Sequence, residues 1–113
     1  MIELQDDTLA FSFPEVHPLA KCAVDFQRTL RIPDDNRRYP LPAGLGRFPV
    51  HHVDDYADQL PETWRRHGGV FLPMYQSEAL WVNFHGNFFH SYPCAIKVAA
   101  GKINAVSGTP WQL

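Results

Sequence analysis

The sequence predicts a β-rich α+β fold: a small, mostly antiparallel sheet with one short helical segment near 54–67. Three observations predict it. Short runs alternate apolar and polar residues with a period of two, as half-buried strands do. Ten prolines are scattered along the chain and cut it into short elements. A single stretch, through Tyr56, Leu60 and Trp64, spaces apolar residues four apart as a helix face requires.

Residues 8–13 form the first clear strand, with Leu9, Phe11 and Phe13 on one side, and Pro14 ends it. A second, 21–32, places Cys22, Val24, Phe26, Leu30 and Ile32 on one face and Asp25, Gln27 and Arg31 on the other. Arg28 interrupts the apolar face, which predicts either a bulge or a strand running out past the core. Pro33, Asp34, Asp35 and Asn36 then read as a turn. From 37 to 50 the prolines and glycines forbid regular structure, so a long ordered loop is expected there, and such loops are often functional.

Asp54 or Asp55 is the expected N-cap of the helical stretch, with Pro61 dividing it and Gly68 and Gly69 stopping it. Arg65, Arg66 and His67 place positive charge at the negative end of the dipole. Strands are expected again at 70–75 and 78–84, the second with apolar groups on both faces as in a covered central strand. Residues 85–93 read as an aromatic-rich turn or loop. A hairpin is expected around Ala100 and Gly101.

The whole of 1–113 reads as a single globular domain, with 45% hydrophobic and 13% aromatic residues to fill one core. The formal net charge of −2 gives no general attraction to phosphate backbones, so no nucleic-acid partner is expected. No run approaches the roughly 18 apolar residues of a membrane span. The acidic start, Met1 to Asp7, lacks the features of a secretory leader, so with Met1 as the native start the protein is expected in the cytoplasm. Cys22 and Cys94 are expected as reduced thiols; their spacing does not say whether they meet.

Three constellations have chemical potential. His52 and Asp54 project from one side if 51–53 is extended, and a metal there would take a third ligand such as His17, His85, His90 or Glu78. The competing reading makes Asp54 a helix cap with the histidines as exposed neighbours. Arg28, Arg31, Arg37, Arg38 and Arg47 bracket the Pro/Gly loop, and guanidinium forks suit a phosphate or a partner's carboxylate. Against that stands a solvated turn whose charges pair with Asp34 and Asp35. Tyr75, Gln76, Ser77 and Glu78 interrupt an apolar stretch, either as a bulge aimed into a pocket or as a solvent-facing kink. Glu78 as a general base would need a partner and a cleft. The cysteines and serines lack the context of activated nucleophiles.

Four segments, RTLRIPDD at 28–35, YPLPAGLGRFPVHHVDDY at 39–56, PMYQSEALW at 73–81 and KVAAGKINAV at 97–106, cover well over half of the chain. Together they resemble an uncharacterised family of mainly bacterial proteins. Its members are longer and continue past the segment matching Pro110 and Trp111. The resemblance therefore implies a fragment or a short member, and it implies no catalytic or binding residue.

The preferred functional reading is a non-catalytic binding or interaction domain using the Arg- and aromatic-flanked loop. Its candidate ligand- or anion-binding residues are Arg37, Arg38, Arg47, Tyr75 and Glu78, and its partner is a protein or a small anionic ligand. The alternative is a small metal-assisted hydrolase centred on His52 and Asp54, the metal being the one cofactor considered. A third reading, a piece of a larger fold, predicts an apolar patch at Trp111 and Leu113. Edge strands in so small a sheet also leave a homodimer open.

Overall fold

The computed structural model describes residues 1–85 and 92–111. Its main sheet is antiparallel and four-stranded, in the order β1 (Ile2–Gln5), β2 (Thr8–Ser12), β3 (Lys21–Leu30), β6 (Glu78–His85). Two short ribbons accompany it: β4 (His51–His52) with β5 (Val70–Phe71), and β7 (Ala99–Ala100) with β8 (Ile103–Asn104). A 3₁₀ helix (Asp54–Gln59) and α1 (Glu62–His67) lie between β4 and β5. The architecture is thus β-rich α+β around a small antiparallel sheet.

The period of two fixes the faces of the sheet. Leu9 opposes Val24 and Phe11 opposes Cys22, while Phe84 and Val82 oppose Val24 and Phe26 from the other side. These residues, with Ile2 and Leu4, make one apolar face. The other face carries Ala10, Ala23, Asp25, Gln27, Thr29, Trp81, Asn83 and His85. β1 was not expected. It is joined to β2 through Asp6 and Asp7, both at positive φ (49° and 61°), which gives the tight reversal a twisted hairpin needs.

Arg28 causes no bulge: pairing with β6 runs unbroken from Ala23↔His85 to Leu30↔Glu78. Its guanidinium instead lies 4.3 Å from the centre of the Phe48 ring and pairs with Glu78. The stem of an arginine packs as a hydrophobe while its head keeps a polar partner. The strand at 78–84 is not central either. β6 takes an edge of the main sheet and β3 the interior. The ring of Trp81 is covered by the loop, where a Cβ on Gly44 would sit 3.1 Å from Trp81 Cζ2 and 3.1 Å from Gln27 Oε1.

The long loop is ordered at its C-terminal end. Where β2 leaves β3, residues 45–48 take its place, through Arg28 N–H to Gly46 O, Leu45 N–H to Arg28 O and Phe48 N–H to Phe26 O, each 2.8 Å. Among the described residues the buried apolar core consists of Ala20, Val24, Phe48, Val50 and Val53. Of these, Phe48 and Val50 come from the end of the loop and Val53 follows just after it, so the loop's end is a structural part of the fold.

The helical stretch divides at Pro61 as expected, but Asp54 and Asp55 do not cap it. Val53 is already helical (φ −57°, ψ −41°), so the turn begins one residue earlier and both aspartates fall in its first turn. Phe71 of β5 holds the two short helices, with ring centres 5.6 Å from Tyr56 and 5.9 Å from Trp64. The hairpin at 99–104 turns through Gly101 and Lys102, both at positive φ. The aromatic-rich turn expected at 85–93 lies largely outside the described residues, as does Leu113.

Candidate functional site

The Pro/Gly loop and the 75–78 turn meet around one side chain. Arg28 stacks on Phe48 from the loop and pairs with Glu78 at the start of β6. Glu78 is engaged a second time: its Oε2 accepts from the Tyr75 N–H at 3.0 Å, while its own N–H donates to Tyr75 O at 3.0 Å. That reciprocal pair closes the turn and launches the strand. The Tyr75 N–H does most to hold the Glu78 carboxyl below its ordinary pKa; burial opposes it and Arg28 lowers it further. A carboxylate so stabilised is a poor general base.

Of the arginines singled out in the sequence, Arg47 is structural. Its Nη1 donates to Asp6 O at 3.1 Å and to Thr8 Oγ1 at 3.0 Å, clamping the β1–β2 turn. Asp7 of the same turn accepts from the Val50 N–H at 3.0 Å. Arg37 and Arg38 are different. Both are exposed, and among the described residues neither guanidinium has a partner. Of Asp34 and Asp35, the partners in the competing solvated-turn reading, Asp35 is occupied by the Arg37 backbone N–H and by the Tyr39 hydroxyl, at 3.1 and 2.5 Å.

Large apolar groups share this end of the sheet. Leu30 is 66% exposed, Leu41 74%, Leu45 59% and Tyr75 77%. Thr29 Oγ1 donates to Ala43 O at 3.1 Å, which ties the loop back against the end of β3. With Arg28 paired to Glu78 and Arg47 holding the β1–β2 turn, Arg31, Arg37 and Arg38 remain in this stretch against Asp34 and Asp35, among exposed leucines and tyrosines.

Among the described residues the metal reading gains no third ligand. His52 and Asp54 line one cleft, of about 330 Å³, but with Ile2, Leu4, Leu9, Phe11, Gly69 and Val70. Among the described residues no group of three or more His, Cys, Asp or Glu is placed to hold a metal ion. Glu78 is committed to Arg28, and His85 to Asp25, while His17 stacks on Tyr92. His90 lies outside the described residues.

A polar cluster escaped the sequence reading. Asp25, 3% exposed, accepts from Gln27 Nε2 at 2.9 Å and Asn83 Nδ2 at 3.2 Å, and His85 Nε2 lies 3.1 Å away. Burial pushes its carboxyl up, and the three partners outweigh burial, so its pKa ends below the ordinary value. The alternation of Asp25 and Gln27 was visible, as was that of Asn83 and His85. Only the β3–β6 register puts them on one face.

Set against known proteins, the chain matches no family model, no curated protein and no solved structure.

Proposed function

We propose that this chain is a non-catalytic binding module. It docks a segment of a partner protein bearing acidic and apolar side chains, on the end of the sheet formed by Leu30, the 31–45 loop and Tyr75. The observation that carries the reading is the surface the fold leaves uncovered. The chain exposes 9220 Å² at 12.9 kDa, whereas a compact monomer of that mass exposes about 6,300 Å². Its radius of gyration, 16.1 Å, exceeds the value of about 13 Å for a compact chain of this length. Surface in such excess, with large apolar groups in it, is what an interaction domain presents before its partner arrives.

The charge pattern selects the place. The guanidinium groups of Arg37 and Arg38 are exposed and have no carboxylate partner among the described residues, and an acidic segment supplies one. The resemblance to the mainly bacterial family adds no activity, so the reading rests on this geometry. Arg47 leaves the binding set, because its guanidinium holds the β1–β2 turn.

The test is an amide-resolved NMR titration with a short peptide rich in aspartate, leucine and phenylalanine. Saturable shifts confined to 30–45 and 74–76 are expected, and Arg37→Glu with Arg38→Glu and Leu41→Asp should remove them while the circular dichroism stays unchanged. Shifts elsewhere, or a response retained by the triple variant, would overturn the proposal. Equal shifts with pyrophosphate alone would replace it with a small-anion site.

A further inference from the structure

Cys22 and Cys94 lie far apart in sequence and together in space. Cys22 is on the apolar face of β3, opposite Phe11. Cys94 belongs to an irregular segment laid over that face. Both line one cleft of about 320 Å³, with Phe11, Phe13, Val24 and Phe84 on the sheet side and Ala95, Ile96 and Lys97 on the other. Both thiols are free. Cys94 is exposed, with its Sγ 3.4 Å from Tyr92 O, and Cys22 is half-buried. Burial raises the Cys22 pKa, and the Cys94 thiol raises it further as hydrogen-bond partner and as a like charge. Two thiols that line one cleft of this size come within reach of a bond after a small shift of the irregular 92–97 segment.

We infer that Cys22 and Cys94 form a reversible disulfide site that fastens the 92–97 segment to the main sheet. The oxidant is a small-molecule disulfide such as oxidised glutathione. Cys94, the accessible thiol, loses its proton and attacks one sulfur of that disulfide. The external S–S bond breaks, one glutathione leaves as a thiolate and takes up a proton, and a mixed disulfide remains on Cys94. Cys22 then gives up its proton and attacks Cys94 Sγ, and the second glutathione leaves as a thiol. The protein pair is oxidised by two electrons, and one external disulfide is reduced to two thiols. Cys22 suits the second role, since a half-buried thiol of raised pKa reacts slowly with a bulky reagent but readily with a neighbour.

The site goes beyond the proposed binding role and does not depend on it. It is tested on the full chain in buffers of set oxidised-to-reduced glutathione ratio, by acid quenching, alkylation and intact mass, with peptide mapping. Wild type should lose both free thiols together, retain no glutathione and yield a Cys22–Cys94 cross-linked peptide. Cys22→Ser should hold one glutathione on Cys94, and Cys94→Ser should react roughly tenfold more slowly. A glutathione that persists on wild-type Cys94, a disulfide-linked dimer, or no reaction would each overturn the inference. The wild-type peptide map decides the matter even if a serine variant folds poorly.

Discussion

Replacing Phe48 by alanine tests how the loop closes the sheet. Phe48 is fully buried, at 0% exposure, and is the largest side chain in a core of five apolar residues. Truncating a buried phenylalanine costs about 3–5 kcal/mol, the lower figure applying where neighbours collapse into the gap. The Phe48 backbone is fixed to β3 through its N–H to Phe26 O, so collapse is restricted. Arg28 also loses the ring beneath its guanidinium, worth about 0.5–1 kcal/mol. A loss of about 4 kcal/mol follows, a large share of the 5–15 kcal/mol typical of a folded domain. Urea unfolding followed by circular dichroism, with the slope compared between variants, measures it directly. Phe48→Leu should lose no more than about 1.5 kcal/mol, since it keeps most of the volume. A loss below about 1 kcal/mol for Phe48→Ala would refute the reasoning and return the loop to the status of a surface excursion.

Three further outcomes are expected. Arg47→Ala should cost about 1–2 kcal/mol by releasing the β1–β2 turn, and it should raise amide exchange at Leu4 and Leu9 without touching peptide binding at 30–45. Because the Asp25 carboxyl is depressed on folding, its stabilisation is fully present above the unfolded value near 3.8 and is lost as pH falls through the lower folded value. Acid unfolding midpoints should therefore shift for Asp25→Asn and change less for the more exposed Glu78→Gln. Oxidation of Cys22 and Cys94 closes a long loop, and thermal unfolding of the oxidised chain should report a gain approaching about 4 kcal/mol that a reductant abolishes.

What the sequence disclosed, it disclosed through local pattern. Leu9, Phe11 and Phe13 announce β2, and Pro61 with Gly68 frames α1, because period and punctuation are local properties. β1 stayed hidden because Ile2–Gln5 is four residues long and its turn uses Asp6 and Asp7 at positive φ, where Asn-Gly is the familiar signal. Arg28 looked like a defect because its ring partner, Phe48, comes from a different part of the chain. The same limit concealed Asp25 with His85, and Cys22 with Cys94: each pair needs the strand register or the path of a distant segment. Among the candidate site residues, type alone could not separate Arg47, which holds a turn, from Arg37 and Arg38, which face solvent.

The interior position of β3 sorts the chain into parts that open together and parts that open alone. Its amides bond to β2, to β6 and to the end of the loop, so most of them exchange with solvent only when the entire sheet comes apart. The β7–β8 ribbon is two residue pairs long and, among the described residues, bonded beyond itself only to nearby chain, through Val98, Thr109 and Trp111, so it opens locally. Capture of the 92–97 segment by a disulfide would move neighbouring amides from the second class toward the first. A deuterium-uptake map taken before and after oxidation would then read as a boundary shift along the chain, with β3 as its fixed reference.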